Sequence, residues 1–516
     1  MKNKIMIFAA LMLTLGVTSC HKDSDVVLNY GVNDDSAFGE ASKSFAGKFK
    51  VFWKSMNTTY SLWDYEKECG LDWDAYYNEM LPEFEELDEM DNVSDEDLKK
   101  VMRKMAAPLH DGHISIEFEN HKTGSFIKVS PNAIRNETRP DLEHALRFVP
   151  DLSAYDENHE LTTWLEANTS VESQLKYMTQ TKDIGYQWAL AKYYELMTKQ
   201  NPTEKDAFML GGLTTFCVEM QNLLKRGYDE STVAKFNQLV VKYMYLNIPF
   251  LEPISTAFEE NAIQVKYALF NDNIAYFYLS GFKLAPYMND ADFRNTFGES
   301  SHTQEVASAV RRVYNEWFET IQELHKEKNL RGVIIDLRSN PGGFVSDSRY
   351  VLGSLIANDN VQYGFARFKR GPGRYDYSPY IPMFVPTMPA EHEVIDDVPI
   401  TILVNCMSVS MSETTALLSK QIPNARLIGR RTWGGLCMLS SPEDFSTNYS
   451  GYIGESGKTP VYVYLPMVGI FDMNKKSLEG YGVEPDIEVD FDHTEYVNTG
   501  HDTQLDRALK YIRTGN

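Results

Sequence analysis

The chain has 516 residues, 43% of them hydrophobic and 12% aromatic, enough to bury the cores of two or three domains and too apolar for a disordered polymer. Its formal net charge of −23 repels a phosphate backbone, and no basic stripe with interleaved aromatics offsets that repulsion, so nucleic acid is excluded as a partner. Five cysteines with no CxxC pair offer no metal-ligand spacing, and no HExxH, P-loop or GxGxxG phrase falls in a suitable context, so neither a metal nor an organic cofactor is expected.

At the N-terminus Lys2 and Lys4 precede the apolar run Ile5 to Val17, which is too short for a spanning helix and has the length of a signal-peptide core. It closes on Val17-Thr18-Ser19-Cys20, which resembles the bacterial lipoprotein signal. That resemblance implies removal of residues 1–19, acylation of Cys20, and export to the bacterial cell envelope, lipid-anchored at the periplasmic face or the cell surface. Residues 20–41, polar and acidic, then read as a flexible tether, and no later stretch is apolar enough to span a bilayer.

Residues 42–119 read as an N-terminal helical domain: Phe49, Phe52, Trp53 and Met56 share one helical face, and Ser94 is placed to cap a helix running to Met105. Residues 120–262 read as a helical middle region, with amphipathic helices over Gln174 to Thr198 and Ala207 to Leu224 whose aromatics need only packing to explain them. From 263 the pattern changes. The segments Gln264 to Phe270 and Ile274 to Phe282 form a hairpin about Asn271-Asp272-Asn273, and a helix from Thr303 to Lys328 leads into the strand Gly332 to Leu337. A glycine-rich turn, a helix near Ser346 to Ile356, the strand Ile400 to Val404, a helix after Ser410, the strand Arg426 to Ile428 and a closing helix Gln504 to Arg513 follow. Strands alternating with helices predict a mixed α/β fold, with 263–516 as its core.

The strand ending at Asn405 runs through a loop into a helix, so Ser408, Ser410 and Ser412 all lie near a helix N-terminus, where free N–H groups and the helix dipole favour an anion. One of them can be a nucleophile beside amides that stabilise an oxyanion; equally, Ser410 and Glu413 match a capping box. Further upstream, Arg338-Ser339-Asn340-Pro341-Gly342-Gly343 is a tight turn whose glycines allow close approach of backbone N–H groups to a ligand.

Taken together, GVIIDLRSNPGG, PITILVN with SMSE four residues on, and ARLIGRRTWGG resemble, in order and spacing, the C-terminal processing (tail-specific) and tricorn core serine peptidases, from about Asp272 to the C-terminus. The N-terminal phrases FKVFWKSMNTTYSLWD, LDWDAYY and LHDGHISIEF are similar to the tricorn-like branch. The resemblance implies a crotonase-like ββα core carrying the N-terminal helical domain and a large helical insertion, and hydrolysis of peptides or unfolded proteins by an exported serine endopeptidase. It implies Ser410 as nucleophile, with the N–H of Met411 and of Gly343 or Gly342 as oxyanion donors. The processing branch places a lysine base where this chain has Gly435, so a Ser–Lys dyad is excluded there, and Lys420 lies about 15 Å too far along the helix. The tricorn-like branch takes its base from a segment like LHDGHISI, which falls on His113, with His110 as runner-up; a neutral imidazole can take the serine proton and return it to the leaving amine. The orienting carboxylate falls on Glu479, or on Glu484, while Asp111 is a candidate for fixing the loop. No PDZ signature is present, so recognition of free C-termini does not carry over. The missing lysine also motivates a rival reading, a non-catalytic lipoprotein that binds a peptide or apolar ligand on the same scaffold.

Overall fold

The computed structural model describes residues 43–139, 148–169, 186–225, 263–288, 301–356, 361–385, 392–438 and 452–516, apart from residues 372 and 467, with four isolated positions between 235 and 246. The signal segment, Cys20, the whole of the tether and the first half of the helix expected over Gln174 to Thr198 lie outside them. Among the described residues no helix is long and apolar enough to cross a membrane.

The chain divides into two compact units. The first comprises residues 1–139, 364–383 and 434–481; the second comprises 140–363, 384–433 and 482–516. The core expected over 263–516 therefore gives two of its segments to the N-terminal unit.

In the first unit, helices Phe45–Thr59, Trp73–Glu89 and Asp95–Ala106 surround an aromatic core. Phe49, Phe52 and Met56 are fully buried, as their spacing requires, and Phe49 stacks on Phe84 with ring centroids 4.9 Å apart. Ser94 caps the third helix: its hydroxyl accepts the Asp97 N–H at 3.2 Å, and Asp97 Oδ2 accepts the Ser94 N–H at 3.0 Å. The sequence missed a four-stranded antiparallel sheet here, ordered Tyr452–Ile453, Val461–Tyr464, Ser115–Asn120, Ser125–Val129. Ile116 opposes Val463 on one side and Val129 on the other. Its strands come from segments more than 300 residues apart, a pairing no local pattern announces.

The second unit is built on a seven-stranded sheet ordered Ile487–Glu488, Ala425–Gly429, Ile400–Val404, Gly332–Asp336, Ile274–Leu279, Gln264–Phe270, Leu161–Asn168. The first five run parallel, and the last two add antiparallel at one edge. Every residue of Ile274–Leu279, Gly332–Asp336 and Ile400–Val404 is buried, as apolar runs in a parallel sheet covered on both faces must be. On one face Trp317 of the helix Ser301–Lys326 stacks on Phe277 at 4.5 Å. A separate cluster joins Leu505, Ala508, Leu509 and Ile512 of the helix Thr503–Thr514 to Ile334, Leu403 and Ile428.

Two local expectations need correction. Residues 120–262 are not helical throughout: Leu161–Asn168, with Thr162, Thr163 and Trp164, pairs with Gln264–Phe270 as the edge strand. The helix expected near Ser346 to Ile356 is two short 3₁₀ turns, Val345–Arg349 and Leu352–Ser354. The Asp347 side chain there turns away to accept the N–H groups of Leu284 and Ala285.

Candidate active site

The strands Gly332–Asp336 and Ile400–Val404 are adjacent and parallel, so the loops leaving their carboxyl ends, 337–343 and 405–410, meet by topology. Side-chain amides knit them together. Asn405 Oδ1 accepts the Ser339 N–H at 2.8 Å, and the Asn340 carbonyl accepts the Val409 N–H at 3.0 Å. The Asn340 side chain reaches the Leu279 carbonyl at 2.8 Å on the next strand.

This scaffold separates the three serines. Ser408 is buried, its hydroxyl donating to the Leu337 carbonyl at 2.8 Å and accepting the Asn405 N–H at 3.0 Å. Ser412 is buried and donates to the Asn340 carbonyl at 2.8 Å. Ser410 is partly exposed and takes φ 57° and ψ −114°, a conformation L-residues occupy only when the surroundings enforce it. The enforcement is visible. Glu413, fully buried one turn into the helix Met411–Ser419, accepts the Ser410 N–H on Oε2 at 3.1 Å and the Thr432 hydroxyl on Oε1 at 2.6 Å. Thr432 Oγ1 in turn accepts the Val483 N–H at 2.7 Å. The capping-box pair read from the sequence, Ser410 and Glu413, is thus present, and the Glu413 N–H also reaches the Ser410 carbonyl at 2.9 Å.

The glycine turn closes against the serine. A Cβ on Gly342, whose φ is +93°, would lie 2.6 Å from Ser410 Cβ and 2.8 Å from Met411 N, so only glycine fits. Gly342 donates its own N–H to Asn340 Oδ1 at 2.8 Å, which removes it from the oxyanion donors suggested by the sequence. The N–H groups of Gly343 and Met411 have no hydrogen-bond partner among the described residues.

In the first unit, the loop 110–114 leads into the strand Ser115–Asn120. Glu479 is fully buried there: Oε1 accepts the Gly112 N–H at 2.7 Å, and Oε2 accepts the N–H groups of Leu436 and Cys437 at 2.7 and 2.8 Å. Its Oε1 also lies 3.5 Å from Nδ1 of His113, a ring only 11% exposed. Burial alone would raise this carboxyl, but the His113 contact and the backbone donors together hold it below the usual carboxylate range. Asp111 Oδ1 accepts the N–H groups of His113 and Ile114 at 2.7 and 2.8 Å, fixing the loop.

The runner-up histidine is spoken for. His110 Nδ1 lies 2.8 Å from Oε2 of the buried Glu66, whose Oε1 accepts the His110 N–H at 2.8 Å and the Tyr60 hydroxyl at 2.9 Å. The fallback carboxylate, Glu484, is exposed. Asp111, His113 and Glu479 bring one ligand atom each within 4.8 Å of one another. The Glu479 oxygens are already taken by three N–H donors, so the donor set suits an oriented imidazole better than a cation.

Sequence reasoning did not single out Asn340, Asn405, Thr432 or Glu66. Each lies inside a quoted phrase or within two residues of one, yet each acts through a partner between 19 and 66 residues away, which spacing does not reveal.

Residues 274–489 match the Peptidase family S41. The chain is 29% identical over 193 residues to a Tricorn-like protease C-terminal subunit from Sulfurisphaera tokodaii, covering 37% of this chain and 18% of the relative. It is 30% identical over 203 residues to a Tricorn protease homolog from Saccharolobus solfataricus, covering 37% and 14%. The chain thus spans less than a fifth of the length of these curated relatives. A crystal structure of a peptidase from Parabacteroides merdae aligns over 92% of this chain and 98% of its own, with a TM-score of 0.49 and 16% identity. Over residues 274–489, then, the chain is similar to the Peptidase family S41, and that stretch lies in a mixed α/β fold.

Proposed function

We propose that this protein is a serine endopeptidase acting on peptides or unfolded proteins, with Ser410 as nucleophile, His113 as base and Glu479 as the group that orients the imidazole. The observation that carries the reading is the contrast among the serines. Ser408 and Ser412 spend their hydroxyls on buried carbonyls, whereas Ser410 stands at a strained strand-to-helix junction against a glycine turn. The placement of Glu479 on Nδ1 of His113 supports the base assignment, since it leaves Nε2 as the nitrogen that accepts the serine proton.

In this mechanism Ser410 Oγ attacks the peptide carbonyl as its proton passes to His113. The oxyanion that forms is held by the N–H groups of Gly343 and Met411, and the imidazolium returns its proton to the leaving amine. Water, deprotonated by the same ring, then releases the acyl group. The lipoprotein-like segment ending at Cys20 extends the proposal to an exported, lipid-anchored enzyme facing the periplasm or the cell surface. Turnover of fluorogenic casein by the wild type, abolished in Ser410→Ala without loss of thermal stability, is the expected result. Unchanged casein or peptide binding with no turnover in either protein would favour the non-catalytic binding role instead.

A further inference from the structure

Two buried carboxyls stand beside His113, and the mechanism above uses only one of them. Glu479 has three backbone N–H donors and the His113 ring around it. Asp111 has two N–H donors, both on Oδ1; its Oδ2 is buried and has no hydrogen-bond partner among the described residues. The two acids and the imidazole lie within 4.8 Å of one another, so two adjacent carboxylates would repel each other strongly in a site shielded from water. An unpartnered Oδ2 is tolerable as a neutral hydroxyl and very costly as half of an anion.

Among the described residues, the other ionisable groups around Asp111 do not supply a compensating cation. Tyr60 and Cys437 are both buried, and burial pushes both up, reinforced by Glu66 and Asp111 at Tyr60 and by Glu479 and Asp111 at Cys437, so they stay neutral. Glu66, beyond Tyr60, is paired with His110. Among the described residues, Arg135 spends its guanidinium on the carbonyls of Leu109 and Gly480 and His110 is held by Glu66, which leaves His113 as the group beside Asp111 that can carry positive charge.

We infer that Asp111 is a positioning residue that works in its neutral form: Oδ1 anchors the backbone of His113 and Ile114, Oδ2 carries a proton, and Glu479 alone supplies negative charge beside the imidazole. This inference rests on the assignment of His113 as the base. Burial, reinforced by the Glu479 charge, pushes the Asp111 carboxyl up to about 8. The sign follows. A folded-state value above the unfolded one gives a contribution to stability that is complete below the unfolded carboxyl range and is lost as pH rises through the folded value. Above that point a second negative charge stands beside Glu479 in a site shielded from water, so the loop that carries His113 loses stability on the alkaline side.

The test compares Asp111→Asn, which keeps an Oδ1 acceptor and replaces the O–H by an N–H, with Asp111→Ala. At pH 7 the Asn variant is expected to keep kcat/KM within about threefold and to lose the alkaline fall in thermal midpoint, whereas the Ala variant, with two N–H groups stranded, falls in kcat/KM by about tenfold or more. An Asn variant as impaired as Ala at an equal thermal midpoint, or an alkaline fall in thermal midpoint that persists unchanged in the Asn variant, would overturn the inference. Infrared difference spectroscopy of the wild type needs neither activity nor a variant: the carbonyl stretch of a buried protonated carboxyl should be present near pH 7 and fade by about pH 9. Absence of that band sinks the neutral-acid role alone. A band in a protein without turnover sinks the peptidase reading instead.

Discussion

The Gly342→Ala substitution probes the closeness of the glycine turn to the nucleophile. Its methyl would sit 2.6 Å from Ser410 Cβ, 2.8 Å from Met411 N and 3.0 Å from Ser410 Oγ, whereas carbon contacts settle at about 3.5–4.0 Å. Some part of the site must therefore move by roughly 1 Å. The neighbours are the backbone of Met411 and the root of the Ser410 side chain, so the shift falls on the nucleophile and an oxyanion donor together. Displacement on that scale costs about 10²-fold, and loss of one oxyanion donor about 10²–10³-fold. Because both losses arise from the same distortion, kcat/KM should fall about 10²–10³-fold, or about 2.7–4 kcal/mol. A left-handed alanine adds about 1–2 kcal/mol of destabilisation. Gly124→Ala is the matched control, with φ +79° and nothing within 4 Å of the added carbon. It should lose a similar amount of stability and no activity. Turnover of fluorogenic casein and thermal midpoints distinguish the two variants; Gly342→Ala retaining kcat/KM within about threefold of the wild type would refute the reasoning.

Glu413→Ala strands the Ser410 N–H and the Thr432 hydroxyl, so it should cost about 2–4 kcal/mol in urea unfolding and at least about tenfold in kcat/KM, since Ser410 can relax from its strained conformation. Thr432→Val, which loses one hydrogen bond to Glu413 and one from Val483, should cost about 1–3 kcal/mol. Asp502→Ala leaves the fully buried Arg338 guanidinium with Asp336 as its sole carboxylate partner among the described residues, and about 3–5 kcal/mol of stability should be lost in the same assay.

The parts of the fold legible in the sequence are those fixed by local pattern. The strands Gly332–Asp336 and Ile400–Val404 and the helix Thr503–Thr514 fall within a few residues of their expected bounds, because unbroken apolar runs and a clear 3.6-residue period leave little choice. The strand Leu161–Asn168 was hidden in a region dominated by helical spacing, and only its pairing with Gln264–Phe270 explains it. The division of the core was equally hidden: residues 434–481 contribute Val461–Tyr464 to a sheet with Ser115–Asn120, a contact that depends on sequence separation rather than on any nearby motif. At the site, motif resemblance selected Ser410, His113 and Glu479. The reasons those residues stand where they do came from buried hydrogen bonds by Asn340, Asn405, Glu413 and Asp111, polar residues whose partners are set by tertiary folding.

The most direct test of the Ser410–His113 assignment is the site of covalent labelling by a fluorophosphonate, read by mass spectrometry of the peptide that carries the adduct. The account predicts one adduct on Ser410, formed in the wild type, Ser412→Ala and His110→Gln, and lost in Ser410→Ala and His113→Gln. An adduct on Ser408 or Ser412, or a labelling rate unchanged by His113→Gln in a folded protein, would contradict it.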